Sequence, residues 1–261
     1  MRYLRLYLHF LRFSFSRALQ FRLDFFFKII MDLIFYVVNI GFYKILFLST
    51  PSLAGWSESQ TIVFVSSYLL VDALHMTVFA SNMWWLPFYI NRGDLDSYLT
   101  RPVSTLFLIS LREFAANSFI NLLFAIGIFS WALTQLDYSY NLADFLLYVG
   151  LILNGVLLHY VLQMIFIIPV FWTQSNRGFN DFFFSMGISI ERPDLIYKGP
   201  LRWVLTFILP FALIVSFPAR IFFETQSESL LIHLFGVTVV MWMIMLTFWR
   251  KGLKAYSSAS S

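Results

Sequence analysis

The sequence predicts an all-α integral membrane protein: six transmembrane helices preceded by an amphipathic interfacial helix, with both termini cytoplasmic. Three observations carry this. Of 261 residues, 59% are hydrophobic and only 12% charged, where a soluble domain carries about 25% charged residues. The apolar residues come in runs of roughly 20 or more, the length that crosses a bilayer. These runs are solidly apolar rather than alternating, which favours helices over the strands of a barrel.

Residues 1–21 are basic and aromatic. Leu4, Tyr7, Leu8, Leu11 and Phe15 recur at helical spacing, while Arg2, Arg5, Arg12 and Arg17 fall mainly elsewhere around the helix. That is the pattern of a helix lying among lipid headgroups. The arginines are spread out rather than gathered before an apolar stretch, unlike those of a cleavable signal peptide. The first span is 25–48. Asp24, Lys28 and Asp32 share one face of it at spacings of four and are expected to pair along the helix. A brief outer loop, 51–58, leads to the second span, 61–89. Asp72 and His75 lie three apart on one face of it. An acid at mid-bilayer costs roughly 2.5–3.5 kcal/mol on insertion scales, so Asp72 is expected to face protein or water. Two readings of the pair stand: hydrogen bonds to a neighbouring helix, or a translocation path.

The polar segment 91–104, NRGDLDSYLTRPVS, follows. Lipid does not hydrate such a segment, so it belongs in water or against protein. Gly93 can turn the chain out of the second span and Pro102 suits entry to the third. Leu95, Tyr98 and Leu99 could form one face of a short helix, with Asp94, Asp96 and Arg101 as charged contacts. An ordinary solvated loop is the alternative. The third span, 106–133, has Arg112 and Glu113 near its start. The fourth, 145–171, is interrupted by Asn154, His159 and Gln163. A second polar stretch, 173–202, holds Glu191, Arg192, Pro193, Asp194 and Tyr197, and its apolar middle, 179–190, could lie along the membrane surface. Pro210 and Pro218 are expected to kink or break the fifth span, 203–217. Arg220 and Glu224 are spaced to pair in the outer turn. The sixth span, 230–249, is stopped by Arg250, Lys251 and Lys254.

With six spans, all Lys and Arg except Lys44 and Arg220 fall on or near one side. Glu58, Asp137, Asp144, Glu224 and Glu228 mark the other. The positive-inside rule then assigns both termini, 91–104 and 173–202 to the cytoplasm.

Several chemistries lack their motifs. No phosphate-binding GxxxxGK[ST] loop, zinc-binding HExxH pair or GxSxG nucleophile elbow occurs. There are no cysteines, and the four histidines are scattered, so no metal site is expected. The net charge of +4 is membrane bookkeeping rather than a nucleic-acid footprint. No internal repeat argues for an inverted-repeat carrier. An intramembrane enzyme using Asp72, His75 or His159 remains an alternative, as does a membrane scaffold that engages an ATPase without transporting anything.

The run Gly93-Asp94-Leu95-Asp96, then Tyr98-Leu99, then Arg101-Pro102-Val103 resembles the G-x-L-D-x-Y-L-x-R-P-V signature of a branch of ABC-2 type exporter permeases. Glu191-Arg192-Pro193-Asp194-Leu195-Ile196-Tyr197 is a second match, with Pro210 and Pro218 beyond it. The resemblance implies a permease subunit in the bacterial cytoplasmic membrane that binds no nucleotide itself. It would pair with an identical or sibling permease and recruit two separate ATPase subunits, which hold the ATP and magnesium. Residues 1–21 would be the elbow helix, and Gly93, Asp94, Leu95, Asp96, Tyr98, Leu99, Arg101 and Pro102 the ATPase-coupling element. In such permeases the stretch between spans five and six often re-enters the membrane from outside. The greasy spans suggest an amphipathic or lipid-like substrate.

Overall fold

Apolar periodicity builds the first element, α1 (Arg2–Gln20), whose side chains are mostly exposed; only Ser14 is fully buried. In the computed structural model, which describes residues 2–136, 141–175, 177–223 and 228–257, α1 lies across one end of a helical bundle. Its Arg17 pairs with Glu113, Ser14 accepts the Phe114 N–H at 3.2 Å, and the Tyr3 ring meets Phe107 edge-on. Asp137, Glu224 and the side chains of Arg177 and Glu228 lie outside the described residues.

Among the described residues, five helical stretches are long and apolar enough to cross a membrane: α2 (Arg22–Phe47), Glu58–Arg92, α7 (Ala116–Leu133), Leu142–Thr173 and Ser229–Ala255. Glu58–Arg92 comprises α3 (Glu58–His75), a π-helical turn at Met76–Ala80, and α4 (Ser81–Arg92). It starts at a capping box, in which Ser57 and Gln60 satisfy each other's backbone N–H groups. Leu142–Thr173 comprises α8 (Leu142–Ile167) and the turn α9 (Val170–Thr173). The last stretch is α13 (Glu228–Ala255). The Glu58–Arg92 and Leu142–Thr173 helices are mostly buried and form the middle of the bundle, whereas α2 and α13 are little buried within the chain. Aliphatic faces left open in this way suit lipid or another subunit.

The third span is not continuous. It divides into α6 (Thr105–Leu111) and α7, with the helix broken over 112–115. No Gly or Pro marks the break. Backbone groups freed inside a membrane need protein partners, and the second span supplies them. Asn82, 3% exposed, donates its amide to the Glu113 carbonyl and accepts the Glu113 N–H, both at 2.8 Å. The Thr77 carbonyl, within the π-helical turn, accepts the Ala115 N–H at 3.0 Å.

The second polar stretch departs most from expectation. Its apolar middle does not lie flat. It forms α10 (Arg177–Gly187), which climbs beside α8 from Phe166 to His159 through Phe182 and Phe183. The chain then reaches Glu191, whose carbonyl accepts the Tyr43 hydroxyl at 2.7 Å near the far end of α2. Asp194 pairs there with both Arg202 and Arg220, and Arg220 stacks over Trp56, 5.4 Å from its ring centre. Charge counting had put Asp194 and Arg220 on opposite membrane faces; an ion pair puts them on one. Residues 191–202 therefore sit at the Trp56 end, away from α1, and 173–202 is not a single cytoplasmic loop. The charge of this stretch suggests a cytoplasmic loop, but Asp194 and Arg202 are held in the ion-pair cluster at the other end.

The expected fifth span changes accordingly. Gly199–Ile208 and Ala212–Phe222 meet at a 97° bend beside Pro210. The first begins near the Asp194 cluster through Arg202, and the second returns to it through Arg220. The outer ends of both arms thus lie near the Asp194 cluster, and α10 with residues 188–190 leads the chain from the α9 end of α8 toward it. The second arm, α12 (Ala212–Ala219), packs tightly on α8: a Cβ on Gly155 would lie 2.3 Å from the Ile214 carbonyl oxygen.

Candidate functional site

Two sites emerge, one at the α1 end and one inside the bundle. At the α1 end, Gly93 adopts a left-handed conformation (φ 79°) that terminates α4. The Leu95 N–H closes back onto the Tyr89 carbonyl at 3.1 Å. A one-turn helix, α5 (Asp96–Leu99), follows. Leu95 and Tyr98 are fully buried and anchor it. Arg112 donates to the Tyr98 hydroxyl, and the guanidinium groups of Arg101 and Arg112 lie over its ring at 5.7 and 5.4 Å. Leu99 does not share their face; it is 39% exposed. Asp94, Ser97, Arg101 and Pro102 are exposed around it. Arg101 Nε donates to the Ser97 carbonyl at 3.1 Å, and Ser104, rather than Pro102, caps the next helix through the Phe107 N–H. The result is a stiff knob with an apolar root and a tip carrying Leu99 among charges. The C-terminal tail joins it: burial and then the neighbouring Asp96 and Asp94 carboxylates push the Tyr256 hydroxyl up to about 12.

Inside the bundle is a cavity of about 420 Å³. Asp72 and His75 both line it, as the sequence suggested for a pair on one face. Sequence spacing did not reveal what they meet. Asp32 reaches the cavity from α2 and accepts the Asn121 amide, while Lys28 pairs with Asp24 alone, at 2.6 Å. Glu191 arrives from beyond α10 and accepts the Tyr68 hydroxyl at 3.2 Å. His159 of α8 stacks on His75 with ring centres 4.0 Å apart. Asp72, His75 and His159, the residues an intramembrane enzyme would use, share one chamber. Arg192, Pro193, Asp194 and Tyr197 do not line it. Pro193 and Asp194 are buried in the ion-pair cluster at the Trp56 end, Asp194 N–H donates to Ser216, and burial raises the Tyr197 hydroxyl. Among the described residues, no group of His, Asp and Glu has the arrangement of a metal site.

A family model described as ABC-2 family transporter protein matches residues 33–260. The chain belongs to the ABC-2 family. Comparison with curated proteins and with solved structures gave no match. Membership makes the chain a multi-pass permease subunit, the membrane component of an ABC transporter, which works with ABC ATPase partners and is not itself catalytic.

Proposed function

We propose that this ABC-2 permease acts as an exporter in a bacterial cytoplasmic membrane. It pairs with a second permease, identical or sibling, and two ATPase subunits that bind ATP and magnesium, and it moves an amphipathic or lipid-like substrate. The α1 end, with both termini, faces the cytoplasm. Basic residues support this: 92, 101, 112, 250, 251 and 254 all gather at that end even after 192, 198 and 202 are moved to the other.

The knob at 91–104 is the ATPase contact. The observation that carries the reading is its two-sided construction. Leu95 and Tyr98 are locked into the bundle, while Asp94, Leu99 and Arg101 project from it. Force applied to such a projection is transmitted rather than absorbed. Tyr98 leads through Arg112 to the break at 112–115, which Asn82 and Thr77 tie to the second span. ATP-driven closure of the partners would therefore tilt the second and third spans, both of which wall the cavity through Asp72, His75 and Asn121. The cavity is the cargo path.

Arg101→Glu tests this directly, because the side chain is exposed and its loss leaves the buried anchors intact. Substrate-stimulated ATP hydrolysis in vesicles containing the whole complex should fall at least tenfold while the permease stays folded. Unchanged stimulation contradicts the assignment. Hydrolysis that proceeds with no substrate response at all favours the scaffold alternative.

A further inference from the structure

The cavity has a chemical bias that an apolar chamber between helices does not need. Among the described residues, three carboxylates line it, Asp32, Asp72 and Glu191, and no lysine or arginine does. Two of them have a donor each, from Asn121 and Tyr68. Asp72 takes no hydrogen bond from any described residue, and its strongest electrostatic neighbours are the other two acids. Carboxylates held in hydrocarbon without a cation are costly, so this arrangement waits for positive charge.

A second, independent observation points the same way. Oδ1 of Asn121, on a side chain 1% exposed that lines the chamber, has no hydrogen-bond partner among the described residues, while the buried Gln163 and His75 beside it face each other. Oxygen atoms of this kind accept hydrogen bonds and do not donate. The lining is rich in acceptors and poor in cations, the complement of a ligand that brings positive charge or N–H donors.

The rest of the chamber suits an apolar body attached to that charge. Phe35, Tyr36 and Tyr68 form a ring cluster beside Asp32 and Asp72, with centroid separations of 6.3 and 6.5 Å. Aromatic faces attract cations, most strongly where water is excluded. Met31, Trp84, Phe184 and Ile188 line the cavity yet are 46–63% exposed, so its mouth opens on the outer surface of the bundle. A volume of about 420 Å³ lies within the range for small-molecule pockets.

We infer that the cavity binds an amphipathic organic cation that enters from the membrane, with Asp72 as its principal counter-ion and Asp32 beside it. This rests on reading the cavity as the cargo path, and it narrows the cargo from amphipathic to cationic.

The test uses the intact permease in nanodiscs of phosphatidylcholine, with empty discs as the partition control. Tetraphenylphosphonium and tetraphenylborate are matched in shape and opposite in charge. Saturable binding of tetraphenylphosphonium is expected, with none of tetraphenylborate. Asp72→Asn should weaken cation binding at least tenfold and Asp72→Glu should largely restore it. Glu58→Gln, which removes an exposed acid outside the chamber, should leave it unchanged. Should Asp72→Asn not elute as a folded particle, Asp32→Asn takes its place, with an expected several-fold loss of cation binding and full affinity overturning the inference. Equal binding of the two ions, no binding of the cation, or full affinity in Asp72→Asn overturns the inference. Recruitment of ATPase subunits, measured on the same particles, separates the two readings. Recruitment without cation binding discards the ligand class alone; cation binding without recruitment discards the coupling role of 91–104.

Discussion

Replacing Asn82 with leucine should damage the protein far beyond the loss of one polar side chain. Its amide satisfies both backbone groups of Glu113 at 2.8 Å, and the residue is 3% exposed. The variant keeps the volume and removes both bonds. Each bond contributes about 0.5–1.5 kcal/mol, and leaving a buried donor or acceptor unsatisfied costs about 1–3 kcal/mol. Inside membranes the measured cost per interhelical bond averages closer to ~0.6 kcal/mol. Two bonds, both to backbone that has no helix to return to, give about 2–4 kcal/mol. For a chain of this size that corresponds to a melting shift on the order of 5–15 °C. The assay is a thermal melt of purified permease in detergent, followed by size-exclusion elution. Asn82→Asp, which keeps the acceptor for the Glu113 N–H and loses the donor, should fall between the two. A melting temperature for Asn82→Leu within a degree of the parent would mean that the break at 112–115 is not held by this clamp, and the route from knob to cavity would lose its middle link.

Other perturbations follow from the same contacts. Gly155→Val should prevent α12 from seating on α8, because the obstructing atom is the Ile214 backbone oxygen, 2.3 Å from a Cβ at that position; loss of folded yield checks it, and normal yield refutes the packing. Asp194→Ala strips Arg220 and Arg202 of their shared carboxylate, and breaking a buried pair of this kind costs about 3–5 kcal/mol, measurable as denaturant sensitivity. Ser67→Ala removes the 2.8 Å contact to the Tyr148 hydroxyl and should cost about 1 kcal/mol, visible as a small melting shift with transport retained. Arg17→Glu sets like charges against Glu113 and should release α1 from the bundle, read as faster proteolysis within residues 2–20.

Much of the architecture was legible because the bilayer imposes it. Spans of about the right length stood out from composition, and Asp72 was conspicuous because an acid inside a span demands an explanation. Asp32 was harder to see. Its spacing from Lys28 offered a partner, but Lys28 has one acid on each side and takes Asp24, the acid four residues N-terminal to it, the more favourable order along a helix. Glu191 and His159 could not be joined to Asp72 by spacing, since they come from different segments and meet only through packing. The break in the third span carries no glycine or proline signal; it exists because Asn82 and Thr77, in another helix, offer its backbone better partners. Residues 191–202 depart from the charge count because Asp194 ties Arg202 to Arg220, a long-range pairing that spacing along the chain does not reveal. At 91–104, the glycine turn and the buried Leu95 and Tyr98 follow the pattern, whereas Leu99 falls outside because a single helical turn points adjacent residues in different directions.

The chain has no cysteine, so single introduced cysteines report position without background. In the assembled complex, Leu99→Cys should cross-link to the ATPase subunit, and the cross-link should abolish ATP-driven release of a bound cargo. Glu58→Cys, at the Trp56 end, should form none. A cross-link from Glu58→Cys in place of Leu99→Cys would invert the protein in its membrane and contradict the account.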